Sequence, residues 1–457
     1  MALIIKNGSV VTENGTIRAD ILIKNEKISR IDSFIPEGLN DEVINADGKI
    51  VIPGAIDAHV HYHMKTSIGR TIDNYETGTI SAAFGGVTSF IDYASPIEGK
   101  SLLESLKQRV KEAEGHSYLD YNFHMEITGE FNQDLDGLSD LKNYGIDSLK
   151  VYTTYGSTKL SDKKIYSLLK KAKEENMLVT VHAEDDEIVN NLKERFIREH
   201  KTTPYYHGDS RPNEAERDAI KKLLHFAKEV GEPVYFVHVS TKEGVEVIKQ
   251  AKESGQKVYG ETCPHYLLLT DDCYKGAEPQ KYIMTPPLRK KVDQEMLWKS
   301  ISEGTLQCIT TDHCSFSTKD KLSTNNCFKV IPGIGGSETL IPLIFSEGVN
   351  KGKITLEQFV CLISTNPAKM FGLYPQKGVI SVGSDGDITI IDPQKEVILK
   401  GSQLHSAAEY TVFEGFKVKG YPVITICRGT VICKYGNLIV SKPDGKFIKA
   451  QNINYID

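Results

Sequence analysis

The chain has 457 residues, 40% of them hydrophobic and 25% charged, which supplies material for a large core and excludes a disordered chain. Lys plus Arg number 55 against 61 Asp plus Glu, and a net charge of −6 spread over this length argues against a nucleic-acid or anionic-membrane partner and for a small molecule. No apolar run approaches the roughly 20 residues of a membrane helix, and "MALIIKNGSV" lacks the cationic start, apolar core and cleavage site of a secretion signal, so a cytoplasmic protein with no membrane contact is expected.

In chain order, "ALIIKNGSVVT", "ADILIKNEKISRI" and "EVINADGKIVIPG" read as short strands joined at N-G and D-G turns. From about residue 53 the texture changes to apolar strands alternating with amphipathic helices such as "NEAERDAIKKLLHFAKEV". The strands are "IVIPGAIDAHVH", "VTSFIDYA", "LDYNFHMEIT", "DSLKVYTTY", "MLVTVHAED", "PVYFVHVS", "KVYGETCP" and "LQCITTDH". Eight strand-helix units in roughly 300 residues predict an α/β fold, a (β/α)8 TIM-type barrel. A doubly wound sheet is the alternative, but it calls for a glycine-rich phosphate loop after the first strand, and "GAIDAHVHYH" is not one. After residue 372 the hairpin texture returns in "KGVISVGSDGDITIIDP" and "VITICRGTVICKYGNLIV", so both termini are expected to build one small β-sandwich domain, residues 1–52 and 373–457, around a barrel at 53–372. Eight scattered cysteines without a CxxC pair read as reduced packing residues.

In a barrel the working residues stand at the carboxyl ends of the strands. Read in order, those ends carry His59 and His61, then Lys150, His182, His238 and Asp312, each after an apolar run. A dry cluster of imidazoles and a carboxylate leaves polar groups unpaired unless a cation organises them, so a metal site is expected. Ligands of this type without thiolates suit zinc, with manganese, iron or cobalt open. Four imidazoles exceed one catalytic ion: His59, His61 and Asp312 could hold one, His182 and His238 a second. Burial and neighbouring positive charge would keep Lys150 a neutral amine, able to add carbon dioxide and become an anionic carbamate bridging both ions.

This set of residues, together with "AFGGVTSFIDYA", "SRPNEAE", "MTPPLR" and "TDHCSF", resembles the amidohydrolase superfamily, in its dihydropyrimidinase and hydantoinase branch, over essentially the whole chain. The resemblance implies two divalent metal ions per subunit, usually zinc, with Lys150 as N6-carboxylysine and Asp312 as the catalytic acid/base. It further implies that Tyr155 of "KVYTTYG" stabilises the oxyanion, that Thr285 and the loop at Gly333 hold the ring amide, and that the chain forms a homotetramer or dimer. Gly333 stands where this branch typically has asparagine. The implied reaction is hydrolytic opening of a cyclic ureide, hydantoin or 5,6-dihydropyrimidine, by a metal-bridging hydroxide. "ETCPHYL" and "GIGGSETL" also resemble allantoinases, while His63 replaces the arginine that grips dihydroorotate, which disfavours that ring. A non-catalytic scaffold relative is the reading of a different class, and retention of all six ligand positions argues against it. The segments after strands one to four, with Tyr62, Met64, Tyr93 and residues 152–159, are expected to shape the substituent pocket, and His63 to be a loop residue lining or supporting it. The remaining histidines, His116, His124, His200, His207, His225, His265, His313 and His405, are read as structural.

Overall fold

The structure, a computed structural model, describes residues 2–131 and 133–456. Among these residues eight strands, Ala55–Val60, Val87–Ala94, Asp120–Glu126, Ser148–Tyr152, Leu178–His182, Val234–Phe236, Val258–Thr262 and Cys308–Ile309, lie parallel in chain order. The circle is completed by a parallel bridge between Val60 and His313 and by the His61 N–H donating to the His313 carbonyl at 2.7 Å. This is the expected TIM-type barrel.

The helices between the strands follow from their apolar spacing. Asn213–Val230 buries Ala215, Ala219, Ile220, Leu223, Leu224 and Ala227, one stripe at helical period, and stops at Gly231 in the left-handed conformation. Leu102–Ala113 starts at a capping box in which Ser101 and Glu104 satisfy each other's backbone N–H groups.

The chain ends meet in a second sheet. Its central pairing sets Ile388–Ile398 antiparallel to Ile50–Pro53, with Thr389 opposite Ile52, and places strands from both termini in one mixed sheet. Ile5, Ile21, Ile23, Val51, Ile388 and Ile390 form its buried face. The run "IVIPGAIDAHVH", expected as one barrel strand, is therefore two: Ile50–Pro53 belongs to the terminal sheet and Ala55–Val60 to the barrel. Gly54 makes the break, because a Cβ there would collide with the Thr88 side chain of the second barrel strand. Residues beyond 438 cross the amino ends of the barrel strands, where the Tyr121 N–H donates to the Lys446 carbonyl at 2.9 Å and Tyr455 stacks on Tyr259.

Barrel and terminal sheet are tied by a buried ionic cluster. Lys377 Nζ lies 2.5 Å from Asp120 at the start of the third barrel strand, 2.6 Å from Asp387 and 2.9 Å from Asp385, and Arg428 adds a 3.0 Å contact to Asp120. Removing one partner of such a set leaves uncompensated buried charge. Lys377→Met is expected to lower unfolding stability by about 3–5 kcal/mol, read from the midpoint of denaturant unfolding; an unchanged midpoint contradicts the role of the cluster.

Candidate metal centre

His59 lies in the first barrel strand and His61 just beyond it, Lys150 is the third residue of the fourth strand, and His182 closes the fifth. His238 and Asp312 follow strands of only three and two residues, shorter than their apolar runs suggest. The reason is local: His238 and Asp312 take left-handed φ values of +39° and +49°, as Tyr155 does at +81°, so the backbone bends at the barrel mouth. Non-glycine residues there cost about 1–3 kcal/mol and gather at functional sites.

The bend brings the ends together. Asp312 Oδ1 stands 3.2 Å from His59 Nε2 and 3.1 Å from His61 Nε2, and ligand atoms of the three residues lie within 4.8 Å of one another. Across the mouth His182 Nδ1 faces His238 Nε2 at 2.9 Å, and the His59 and His238 ring centroids are 5.4 Å apart. Lys150 and these residues line one cavity of about 250 Å³.

Carboxylates behind the rings decide which way each imidazole faces. His59 Nδ1 donates to Glu261 at 2.5 Å, and Glu261 also accepts from the Tyr235 hydroxyl and the His238 N–H. His182 Nε2 donates to Glu184 at 2.8 Å, and Glu184 is gripped by Arg211. The outer nitrogen of each ring is thereby engaged as a donor, which leaves the inner nitrogen as the one that can hold a cation.

Electrostatics point the same way. Burial acts to lower His59, but the Asp312 and Glu261 carboxylates outweigh it and raise it to about 9, so these anions draw a proton where a cation could stand. Burial opposes the charge on Asp312, yet His59 and His61 hold its carboxyl well below the usual range. Burial lowers His182 to about 4, keeping it neutral as a ligand must be. Burial also draws Lys150 down to about 8 against the pull of Glu261, Asp312 and Glu126, and its Nζ has no hydrogen bond or ion pair among the described residues. The buried His61 Nδ1 also lacks a partner. Inner ring nitrogens, a shared carboxylate and a lysine whose Nζ meets only the faces of Tyr93 and Tyr152 among the described residues fit divalent cations. The contrast is a second group of ligand-type atoms, Asp120, Asp387 and Cys427, where the Lys377 ammonium already supplies the positive charge.

Tyr155, Thr285 and Gly333 line the same cavity. The Tyr155 hydroxyl donates to Thr285 Oγ1 at 2.8 Å. Gly333 is required as glycine: its φ is +135°, and a Cβ would strike the Cys314 carbonyl. Its N–H is engaged by the Ile283 carbonyl, and Lys321 Nζ binds the carbonyls of Ile283, Ile331 and Gly333, clamping the segments that carry Thr285 and Gly333. His63 stands at the rim, its carbonyl held by Arg70 and Arg109.

Two expectations are corrected. Tyr62 is fully buried with its hydroxyl on Ser337, so it belongs to the core and not to the substituent pocket. His265, read as merely structural, lines the cavity with an unpartnered Nε2, because the short helix after the seventh strand turns it back over the mouth. Glu184, Arg211 and Glu261 were not anticipated; the signal for Glu261 is a carboxylate within the apolar strand "VYGET".

A family model described as "Amidohydrolase family" matches residues 50–432. A D-hydantoinase of Ralstonia pickettii is 38% identical over 454 residues, 98% of this chain and 99% of that protein, and a D-hydantoinase of Rhizobium radiobacter is 38% identical over 457 residues with the same coverage. The crystal structure of a dihydropyrimidinase from Brevibacillus agri superimposes with a TM-score of 0.96 at 37% identity, covering 99% of each chain.

The carboxylate behind His59 gives a direct test. Glu261→Gln is expected to weaken divalent-metal affinity by about 10- to 100-fold, measured by competition with a chelator; unchanged affinity would show that Glu261 does not orient a ligand.

Proposed function

The chain belongs to the amidohydrolase family, and from that membership we propose that it opens a cyclic ureide, a hydantoin or 5,6-dihydropyrimidine, by hydrolysis of a ring amide bond. The observation that carries the reading is the convergence of His59, His61, Lys150, His182, His238 and Asp312 on one cavity beside Tyr155 and Thr285. In this proposal His59, His61 and Asp312 would hold one ion and His182 and His238 the other. The neutral-amine form of Lys150 would add CO2 and release a proton to become N6-carboxylysine, whose carbamate oxygens would serve as further anionic ligands. Two divalent ions, zinc in this reading, would supply a water ionised near neutral pH.

The chain's own groups do the rest. Asp312 turns Oδ1 to the two imidazoles, which leaves its other oxygen to take the proton of the attacking water and pass it to the departing ring nitrogen. The Tyr155 hydroxyl, resting on Thr285 in the free protein, transfers its hydrogen bond to the carbonyl oxygen as negative charge develops there. Thr285 is the ring contact best supported, since the Gly333 N–H is already occupied. The family relationship supports a homo-oligomer, dimer or tetramer, and eight free cysteines suit a reducing cytoplasm.

Protein loaded with zinc or manganese in bicarbonate, offered hydantoin, dihydrouracil, allantoin and dihydroorotate side by side, is expected to open the first two fastest. Failure on all four, or preference for dihydroorotate, rejects the reading. Asp312→Asn is expected to remain folded with ring opening abolished; normal turnover would remove it from proton transfer. Tyr155→Phe is expected to lower kcat by about 10²- to 10³-fold, and an effect confined to KM would make Tyr155 a binding residue only.

A further inference from the structure

A second cavity of about 1100 Å³ adjoins the first and shares Met64, Tyr152 and Tyr155 with it. Segments that follow the first four barrel strands enclose it, so a group projecting from a ring held over Asp312 has this space to enter.

Two buried polar groups in that cavity lack the partners they need. Glu126, 7% exposed, closes the third barrel strand as the register partner of Lys150, so both side chains share the inner face of the barrel. Its carboxylate accepts from the hydroxyls of Ser95 and Tyr152, each at 2.5 Å, but no cation pairs with it among the described residues. Tyr93, 3% exposed, has a hydroxyl with no hydrogen-bond partner. Hydroxyl donors solvate a buried carboxylate without neutralising it, and an unneutralised one is costly to bury.

The other charged groups nearby are Lys150, the register partner of Glu126 with no ion pair to it, Glu98 and Lys65 at the exposed rim, and groups that bind within the chain. Arg109 binds Asp92 and Glu112, Arg70 donates to the His63 carbonyl, and Glu130 accepts from Ser157 and Thr158.

We propose that the second cavity receives the exocyclic group of the ring substrate and selects a protonated amine or guanidine, with Glu126 as its counter-charge and the Tyr93 hydroxyl as a further acceptor. The inference rests on the ring-opening reading above and adds the chemistry of the substituent. The rings of Tyr93, Tyr152 and Tyr155 border the same space, but Lys150 lies over the first two and Arg211 over the third, so the selection rests on the Glu126 carboxylate. An acidic substituent would meet like charge instead, so the cavity rejects as well as selects.

The test compares hydantoins carrying aminopropyl, propyl and carboxyethyl chains, with bare hydantoin as reference. The native protein is expected to favour the aminopropyl over the carboxyethyl chain by about 10- to 100-fold in kcat/KM, a preference that shrinks as salt is added. Glu126→Gln is expected to collapse that ratio, chiefly through KM for the aminopropyl chain, while Glu126→Asp preserves its direction. Equal rates for the two charged chains in the native protein overturn the proposal, as does a parallel fall of both in Glu126→Gln, which would mark a structural role. If bare hydantoin and every derivative stay closed, the ring-opening reading itself fails and this inference with it; opening of the propyl chain without charge discrimination overturns this inference alone.

Discussion

The direction in which a buried imidazole holds its proton governs the centre of this molecule. Glu261 and Glu184 stand behind His59 and His182 and take the outer N–H of each, so the remaining nitrogen of each ring is the one turned to the barrel mouth. In the free protein that of His59 turns to Asp312 and that of His182 to His238, while the buried Lys150 amine has no hydrogen bond or ion pair among the described residues. Everything else at the site either tolerates that arrangement or supplies the positive charge it lacks. His59, raised by two flanking carboxylates, shows how far the surroundings go to recover a proton in place of a cation.

The barrel makes this geometry affordable only because its rim is held from outside. Glu184 keeps its position through Arg211, Glu261 through Tyr235, and the two segments carrying Thr285 and Gly333 through the single ammonium of Lys321. At the opposite end Lys377 and Arg428 lock the third strand to the terminal sheet. A strand end displaced by one residue would turn its ligand away from the mouth, since successive side chains alternate faces. The ionic cluster at the base and the carboxylates at the rim thus serve one purpose from two sides.

Much of this was legible in the sequence, for a definite reason. His182, His238 and Asp312 each interrupt an apolar run, and polar residues at the ends of buried strands stand out against that background. The eight-unit rhythm and the return of hairpin texture after residue 372 were enough for the barrel and the shared terminal sheet. What escaped was whatever depends on a second layer. Arg211 and Glu184 are distant in sequence and meet only because the helix Asn213–Val230 begins beside the fifth strand. Gly54 hides a change of sheet inside a continuous apolar run, because the cause is the Thr88 side chain on another strand. Tyr62 looked like a pocket residue by its place beside His61, yet the turn after the first barrel strand sends it into the core, with its hydroxyl on Ser337.

The most direct test is anomalous diffraction from crystals of the metal-loaded protein, recorded at the absorption edge of the metal. The account predicts two peaks per chain, one among His59, His61 and Asp312 and one beside His182 and His238, with added density on Lys150 Nζ. A single peak or none, with Lys150 a bare amine and His182 still hydrogen-bonded to His238, would contradict it.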